Sequence, residues 1–255
     1  MMNTVMINRS WLLCQKPNPA ARMRLVCFPY AGGNARIYDS WAASMPAELE
    51  LHVVQLPGRG NRFAEPLCSH ISEIVPVLAK EIMAVADKPL VFFGHSMGAL
   101  LGFEVARQLR STYAKPIAHL FVSAFKAPHL PRMKTERYRL SDEDLIEELR
   151  HFNGTPEILL KDKELMDMFL PVMRADLEVC ETYAYTDELP LPCPITAFGG
   201  LYDQGITPNE LSDWCEQTSE GFQLELFQGD HFIVHSHRNE MLDYMKKAVN
   251  PMGVY

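Results

Sequence analysis

The sequence lacks the marks of several protein classes. Its six cysteines (Cys14, Cys27, Cys68, Cys180, Cys193, Cys215) are scattered over 255 residues with no C-x-x-C pair. That excludes a disulfide framework and the usual zinc-ligand spacing, and fits a reduced, cytoplasmic setting. No run approaches the roughly 20 apolar residues of a membrane span. Arg9 is followed only by the short apolar stretch Trp11–Cys14, too little for a signal-peptide core. Basic residues are in the minority, 24 Lys and Arg against 32 Asp and Glu, for a net charge of −8. Such a balance supplies no broad basic face for nucleic acid. Internal repeats, linkers and low-complexity stretches are absent as well.

What is present is globular. Apolar residues make up 47% and charged residues 22%, near the average for folded domains. The length allows one large domain or two small ones. It suffices to bury about 70–75% of the unfolded surface.

Short apolar runs alternate with helical patterns. Arg24–Phe28, Leu51–Leu56, Pro89–Phe93, Ile117–Ala124, Pro194–Phe198 and Phe222–Phe227 read as strands. The first five lack polar alternation, as strands covered on both faces do. Ile71–Ala86, Met97–Arg110, Asn209–Gln217 and Arg238–Val249 read as helices. This alternation implies an α/β fold: a mostly parallel central sheet with helices on both faces.

One interval breaks the pattern. Between about Pro128 and Pro192 there is no good strand, but two helical stretches, Ser141–His151 and Lys161–Tyr183. Ser141 and Asp144 resemble a capping box, and Asn153-Gly154 with Pro156 separates the helices. About 65 residues is too long for an ordinary connection. The expected division is a core of residues 1–127 and 193–255, with residues 128–192 inserted as a helical cap.

Gly94-His95-Ser96-Met97-Gly98 matches G-x-S-x-G. A chance match in a chain this long has a probability of roughly 0.1, so its context carries the argument. The motif follows a short apolar strand and opens a helix. A serine on so tight a turn adopts an unfavourable backbone conformation that exposes its hydroxyl. Glycines two residues before and after make room for it. The Met97 N–H, at the helix start, then points toward an oxyanion beside Ser96.

A serine hydroxyl needs a base, and the base an orienting acid. Asp203 follows strand Pro194–Phe198, at the strand end where sites lie in open α/β sheets. Asp213 belongs to the next helix and Asp187 precedes the strand. His231 follows strand Phe222–Phe227 behind Gly229, whose flexibility allows a tight turn. His235 and His237 come later, near the next helix. A second oxyanion donor is expected from the loop after an early strand, Pro29–Gly33, where two glycines allow close approach. Ala31 N–H is the first choice there, with Tyr30 and Gly32 as alternatives. No G-x-G-x-x-G or Walker lysine accompanies this loop.

These residues carry a resemblance. The chain resembles the type II thioesterases of the α/β-hydrolase superfamily, stand-alone partners of nonribosomal peptide and polyketide synthases. It does so from about Trp11 to Val249, in Phe28–Gly33 (FPYAGG), Gln55–Arg62 (QLPGRGNR), Phe92–Arg107, Leu170–Tyr183 (LPVMRADLEVCETY) and Gly229–Phe232 (GDHF). Gly60 stands where this family's P-G-R loop often has an acidic residue.

The resemblance implies an α/β-hydrolase fold and hydrolysis of acyl groups from the phosphopantetheine thiol of carrier proteins. The triad would be Ser96, Asp203 and His231, with oxyanion donors Met97 and Ala31. The family's usual role is clearing stalled acyl groups. No metal or other cofactor is implied, since the phosphopantetheine belongs to the substrate. A cytoplasmic monomer is expected, with acyl or peptidyl carrier domains as partners and neither nucleic acid nor membrane. Tyr30, Met166, Phe169 and Met173 are candidates for the acyl site, the methionines because they suit varied shapes. Arg132, Lys134, Arg137 and Arg139 form the one clear basic run, a candidate dock for acidic carriers. Rival readings are a medium-chain fatty acyl thioesterase, a carboxylesterase, a transacylase and a non-catalytic protein on the same fold.

Overall fold

The computed structural model describes residues 10–131, 135–152 and 154–249. Its centre is a seven-stranded sheet: β1 (Leu12–Leu13), β2 (Met23–Phe28), β3 (Leu49–Val54), β4 (Leu90–His95), β5 (His119–Ser123), β6 (Ile195–Gly200) and β7 (Phe222–Phe227). The spatial order is β1-β3-β2-β4-β5-β6-β7. Only the β1–β3 pair is antiparallel. Five longer helices are α1 (Ile71–Met83), α2 (Met97–Tyr113), α3 (Asp142–Phe152), α4 (Lys163–Glu181) and α5 (Arg238–Val249).

The strands from β3 to β6 are buried throughout, which is why their sequences lack polar alternation and are mostly apolar, with residues such as Glu50, His52, His119 and Thr196 as buried polar exceptions. β7 is half exposed, as an edge strand can be. One sheet face packs against α1, α2 and the segment around Trp214, through residues such as Ile74, Leu78, Leu101 and Leu109. The other packs against Tyr38, Trp41 and α5, through Met241, Leu242 and Met245. The expected α/β architecture, with helices on both faces, is therefore present.

Several boundaries differ from the sequence reading. β3 lies two residues earlier than Leu51–Leu56: the strand ends at Val54, Gln55 adds a single backbone bond to Trp11 O at 2.9 Å, and Leu56 is buried in the turn that follows. The segment Asn209–Gln217 is a short α-helix, Pro208–Ser212, that tightens into a 3₁₀ turn at Asp213–Gln217. Lys161–Tyr183 is shortened to α4, preceded by a separate turn of helix at Glu157–Leu160. Asp162 ends one and caps the other, accepting the Leu165 N–H. The two-residue strand β1 has too little pattern to be seen in sequence.

The described part of residues 128–192 holds a 3₁₀ turn at Arg137–Arg139, α3, the turn Glu157–Leu160 and α4. Ser141 caps α3 by accepting the Asp144 N–H at 3.1 Å; Asn153 of the following turn lies outside the described residues. Leu145, Leu149, Leu160, Met166, Leu170, Met173 and Leu177 make an apolar cluster of their own, with Ala31 packed against it. Val179, Tyr183 and Leu191 pack instead into the core under the sheet. The segment thus sits on the loops at the C-terminal strand ends and is rooted in the core at its far end.

Candidate active site

The turn after β4 is a tight one. Ser96 has φ +52° and ψ −121°, a conformation L residues seldom adopt, costing about 1–3 kcal/mol. Its N–H is held by Ser123 O at 2.8 Å, and its carbonyl accepts the Ala99 N–H at 2.8 Å, starting α2. A Cβ on Gly94 would lie 2.1 Å from Gly98 O, and one on Gly98 would lie 2.0 Å from Phe28 O. The two glycines of the motif are sterically required.

Asp203 lies just beyond β6 and His231 just beyond β7. Parallel pairing of β2, β4, β5, β6 and β7 brings their ends together. His231 Nδ1 is 2.7 Å from Asp203 Oδ2. Asp203 Oδ1 accepts the N–H groups of Gly205 and Ile206 at 2.9 and 3.2 Å. The rivals are otherwise engaged. His235 Nε2 lies 2.9 Å from Tyr30 Oη, and His237 Nδ1 lies 2.9 Å from Ser236 Oγ. Asp230 accepts the Phe232 N–H at 2.9 Å.

In the loop after β2, Gly32 N–H is taken by Asp176 Oδ2 at 2.7 Å and Gly33 N–H by Tyr30 O at 2.9 Å. That removes Gly32 as an oxyanion donor and favours Ala31. Met97 is fully buried at the start of α2.

Ser96, Ala31, Asp203 and His231 all line one cavity of about 1010 Å³. Tyr30, Met166, Phe169 and Met173 line it too. Other walls were not foreseen from sequence: Phe63, Phe125, Leu149, Phe152, Leu159 and Phe232. They come from loops, from α3 and from the turn Glu157–Leu160.

His95, the variable residue of the motif, is a second unforeseen member. It is fully buried, with Nδ1 2.9 Å from Ser123 Oγ and no hydrogen-bond partner for Nε2. Burial, then the neighbouring His231 and His235, pushes its pKa well below the usual histidine value, so it stays neutral. Its ring centroid is 5.4 Å from that of His231.

The basic run is only partly in view. Arg132 and Lys134 lie outside the described residues. Arg137 Nε pairs with Glu148 at 3.0 Å and its Nη1 approaches Glu181 at 3.7 Å. Arg139 pairs with Glu136 at 3.0 Å. The local charge at both positions is balanced by carboxylates.

Among the described residues, one group of potential metal ligands is close together: Cys14, Glu50 and His52. The Arg24 guanidinium sits among them, paired with Glu50 and 3.1 Å from His52 Nε2. No helix among the described residues is long and apolar enough to cross a membrane.

Comparison with known proteins places this site in a family. A family model described as a thioesterase domain matches residues 23–248. The gramicidin S biosynthesis protein GrsT of Aneurinibacillus migulanus is 45% identical, over 94% of this chain and 93% of that protein. The linear gramicidin dehydrogenase LgrE of Brevibacillus parabrevis is 41% identical, over 94% and 92%. Among solved structures, the type II thioesterase BorB of the borrelidin biosynthetic cluster superposes with a TM-score of 0.87. It is 38% identical, over 94% of this chain and 98% of that one. The chain therefore belongs to the thioesterase domain family and has its α/β-hydrolase fold.

Proposed function

We propose that this thioesterase acts as a stand-alone enzyme of nonribosomal peptide or polyketide assembly, releasing acyl groups from the phosphopantetheine thiol of carrier domains. The observation that carries the reading is Ser96. It is held at positive φ between two obligatory glycines, on the same cavity as the His231–Asp203 pair. A serine so displayed is built to form an acyl ester.

Ser96 Oγ attacks the thioester carbonyl while His231 Nε2 takes its proton. The oxyanion is met by the Met97 and Ala31 N–H groups. As the C–S bond breaks, the thiol leaves and receives that proton. His231 next takes a proton from water, which attacks the acyl-serine and releases the acid. Asp203 keeps the imidazole in the tautomer that leaves Nε2 free. Tyr30, Met166, Phe169 and Met173 contact the acyl group. The reading calls on no metal or prosthetic group of the enzyme's own. The apolar cavity suits varied acyl chains, which supports a clearing role.

The test is intact-mass analysis of a panel of acyl-carrier proteins after incubation, beside small esters and acyl-coenzyme A. Loss of the acyl mass from carriers is expected, and Ser96→Ala should lose on the order of 10⁵–10⁶ in turnover. Hydrolysis confined to small esters or acyl-coenzyme A would turn the reading to a carboxylesterase or a fatty acyl thioesterase. Near-wild-type activity of Ser96→Ala would remove the nucleophile.

A further inference from the structure

Three segments far apart in the chain meet at one buried ion pair behind Ala31. Arg59 Nη2 donates to Asp176 Oδ1 at 2.8 Å, and Arg59 Nη1 donates to Asp176 Oδ2 at 2.5 Å. Asp176 is 0% exposed and Arg59 6%. The same Asp176 Oδ2 accepts the Gly32 N–H at 2.7 Å. Arg59 Nη1 also reaches Gly33 O at 3.3 Å. Gln55 holds both loops from behind, donating to Arg59 O at 3.0 Å and accepting the Ala35 N–H at 3.0 Å.

The helix that carries Asp176 also lies on this loop. Gly32 has φ +75°, and a Cβ there would come within 2.7 Å of Met173 Cε and 2.8 Å of Phe169 Cζ. A larger residue there would have to push the Met173 and Phe169 side chains aside and hold a φ that L residues seldom adopt.

Stability alone is a poor account of such a pair. Two charges taken wholly out of water hold a fold together no better than an apolar pair of similar volume. A fork-to-fork pair does fix direction, because the two parallel bonds allow one orientation. Here that direction is passed to the backbone. The bond to Gly32 N–H fixes the plane of the Ala31–Gly32 peptide and turns that N–H toward α4. The Gly33 N–H closes the turn onto Tyr30 O. These two bonds constrain the preceding peptide, which carries the Ala31 N–H beside the cavity that Ser96 also lines.

We propose that Asp176, gripped by Arg59, is a positioning residue for the oxyanion site: it holds the loop Tyr30–Gly33 in place for Ala31 and ties it to the helix that lines the acyl cavity. This rests on the reading of Ala31 N–H as an oxyanion donor. It gives the P-G-R loop and the R-A-D segment one shared purpose, although they are 117 residues apart.

The test is Asp176→Asn, with active sites counted by end-point fluorophosphonate labelling of Ser96. Turnover per labelled site should fall ~10–100-fold, the effect of a misplaced oxyanion donor, with KM within about threefold. An acyl trifluoromethyl ketone, which forms a tetrahedral adduct with the serine, should lose affinity by the same factor. Unchanged turnover per labelled site, even with a lower melting temperature, would reduce the pair to a structural staple and overturn the proposal. So would lost turnover with inhibitor affinity unchanged.

Arg59→Lys covers the case in which Asp176→Asn does not fold. Lysine keeps the charge and the Gly32 bond but gives up the second nitrogen. A turnover loss of ~3–10-fold at constant KM is expected, and none at all would overturn the proposal. Failure of the thioesterase reading looks different in the same assays. Wild-type protein would then leave thioesters intact, or Ser96→Ala would match it.

Discussion

His231 Nδ1 sits 2.7 Å from Asp203 Oδ2, while the other oxygen of that carboxylate is held by two backbone N–H groups. The Asp203 side chain is only 3% exposed. One oxygen is thus anchored by the chain and the other orients the ring. Asp203→Asn keeps the shape but can favour the wrong imidazole tautomer. Its turnover should fall by about 10⁴ with the fold intact. Steady-state kinetics beside circular dichroism check this; a loss of less than tenfold would take Asp203 out of the triad.

The glycines of the nucleophile turn make a steric prediction. Gly98→Ala drives a Cβ to within 2.0 Å of Phe28 O, a backbone atom that cannot swing away. It should cost at least about 3 kcal/mol. Gly221 has nothing within 4 Å of its Cβ position, so Gly221→Ala should stay within about 0.5 kcal/mol of wild type. Urea unfolding compares the two. Similar midpoints would show that the turn yields and that the steric account is wrong.

The candidate triad could be picked out of the sequence because each member obeys a local rule. Ser96 lies between glycines at a strand-to-helix junction; Asp203 and His231 follow the last two strands in hydrolase order. The four candidate acyl-site residues line the cavity, but so do Phe63 and Phe125, from loops whose path no periodicity encodes. Arg59 and Asp176 stand in recognisable segments, yet their meeting depends on how α4 settles on the loop after β2. The strand at Leu49–Val54 was misplaced because burial continues past the end of pairing, so hydrophobicity does not mark where hydrogen bonding stops.

Buried histidines give the fold an acid limit. Burial lowers the pKa of His119 to about 4, and burial with the Arg24 charge lowers His52 to about 4. In the unfolded chain both take a proton near 6.5. Between those values the unfolded state binds more protons, so stability falls as pH falls from about 6.5 to 4. Each histidine accounts for up to about 3 kcal/mol of that loss. His119→Gln can keep a hydrogen bond to Thr196 and removes one titration. Its unfolding free energy should decline less steeply over that window. A slope identical to wild type would exclude His119 as a contributor.

Arg139 is paired with Glu136 on the surface, with its side chain 64% exposed. Exposed pairs contribute little, about 0–1 kcal/mol, and here the cation is already balanced. Arg139→Glu should change kcat/KM for an acidic acyl-carrier protein by less than about twofold at moderate salt. A tenfold loss that fades as salt is raised would show that this position steers the carrier after all.

The proposed acyl-site and oxyanion-loop roles of α4 make separate predictions. Met166 lines the cavity and belongs to the apolar cluster shared by α3 and α4. Phe169 and Met173 line the cavity and also lie against Gly32. Met166→Ala should therefore act on chain length alone, moving the preference toward acyl groups roughly two to three methylenes longer. Each newly buried methylene is worth up to about 0.8 kcal/mol, or about fourfold in kcat/KM. If the loop Tyr30–Gly33 serves the oxyanion as proposed, Phe169→Ala should loosen its support, and turnover should fall for short and long chains alike. A straight-chain acyl thioester series measured with both variants checks the separation. If Phe169→Ala only shifts the preferred length, with turnover kept on its best substrate, then packing on Gly32 has no part in catalysis.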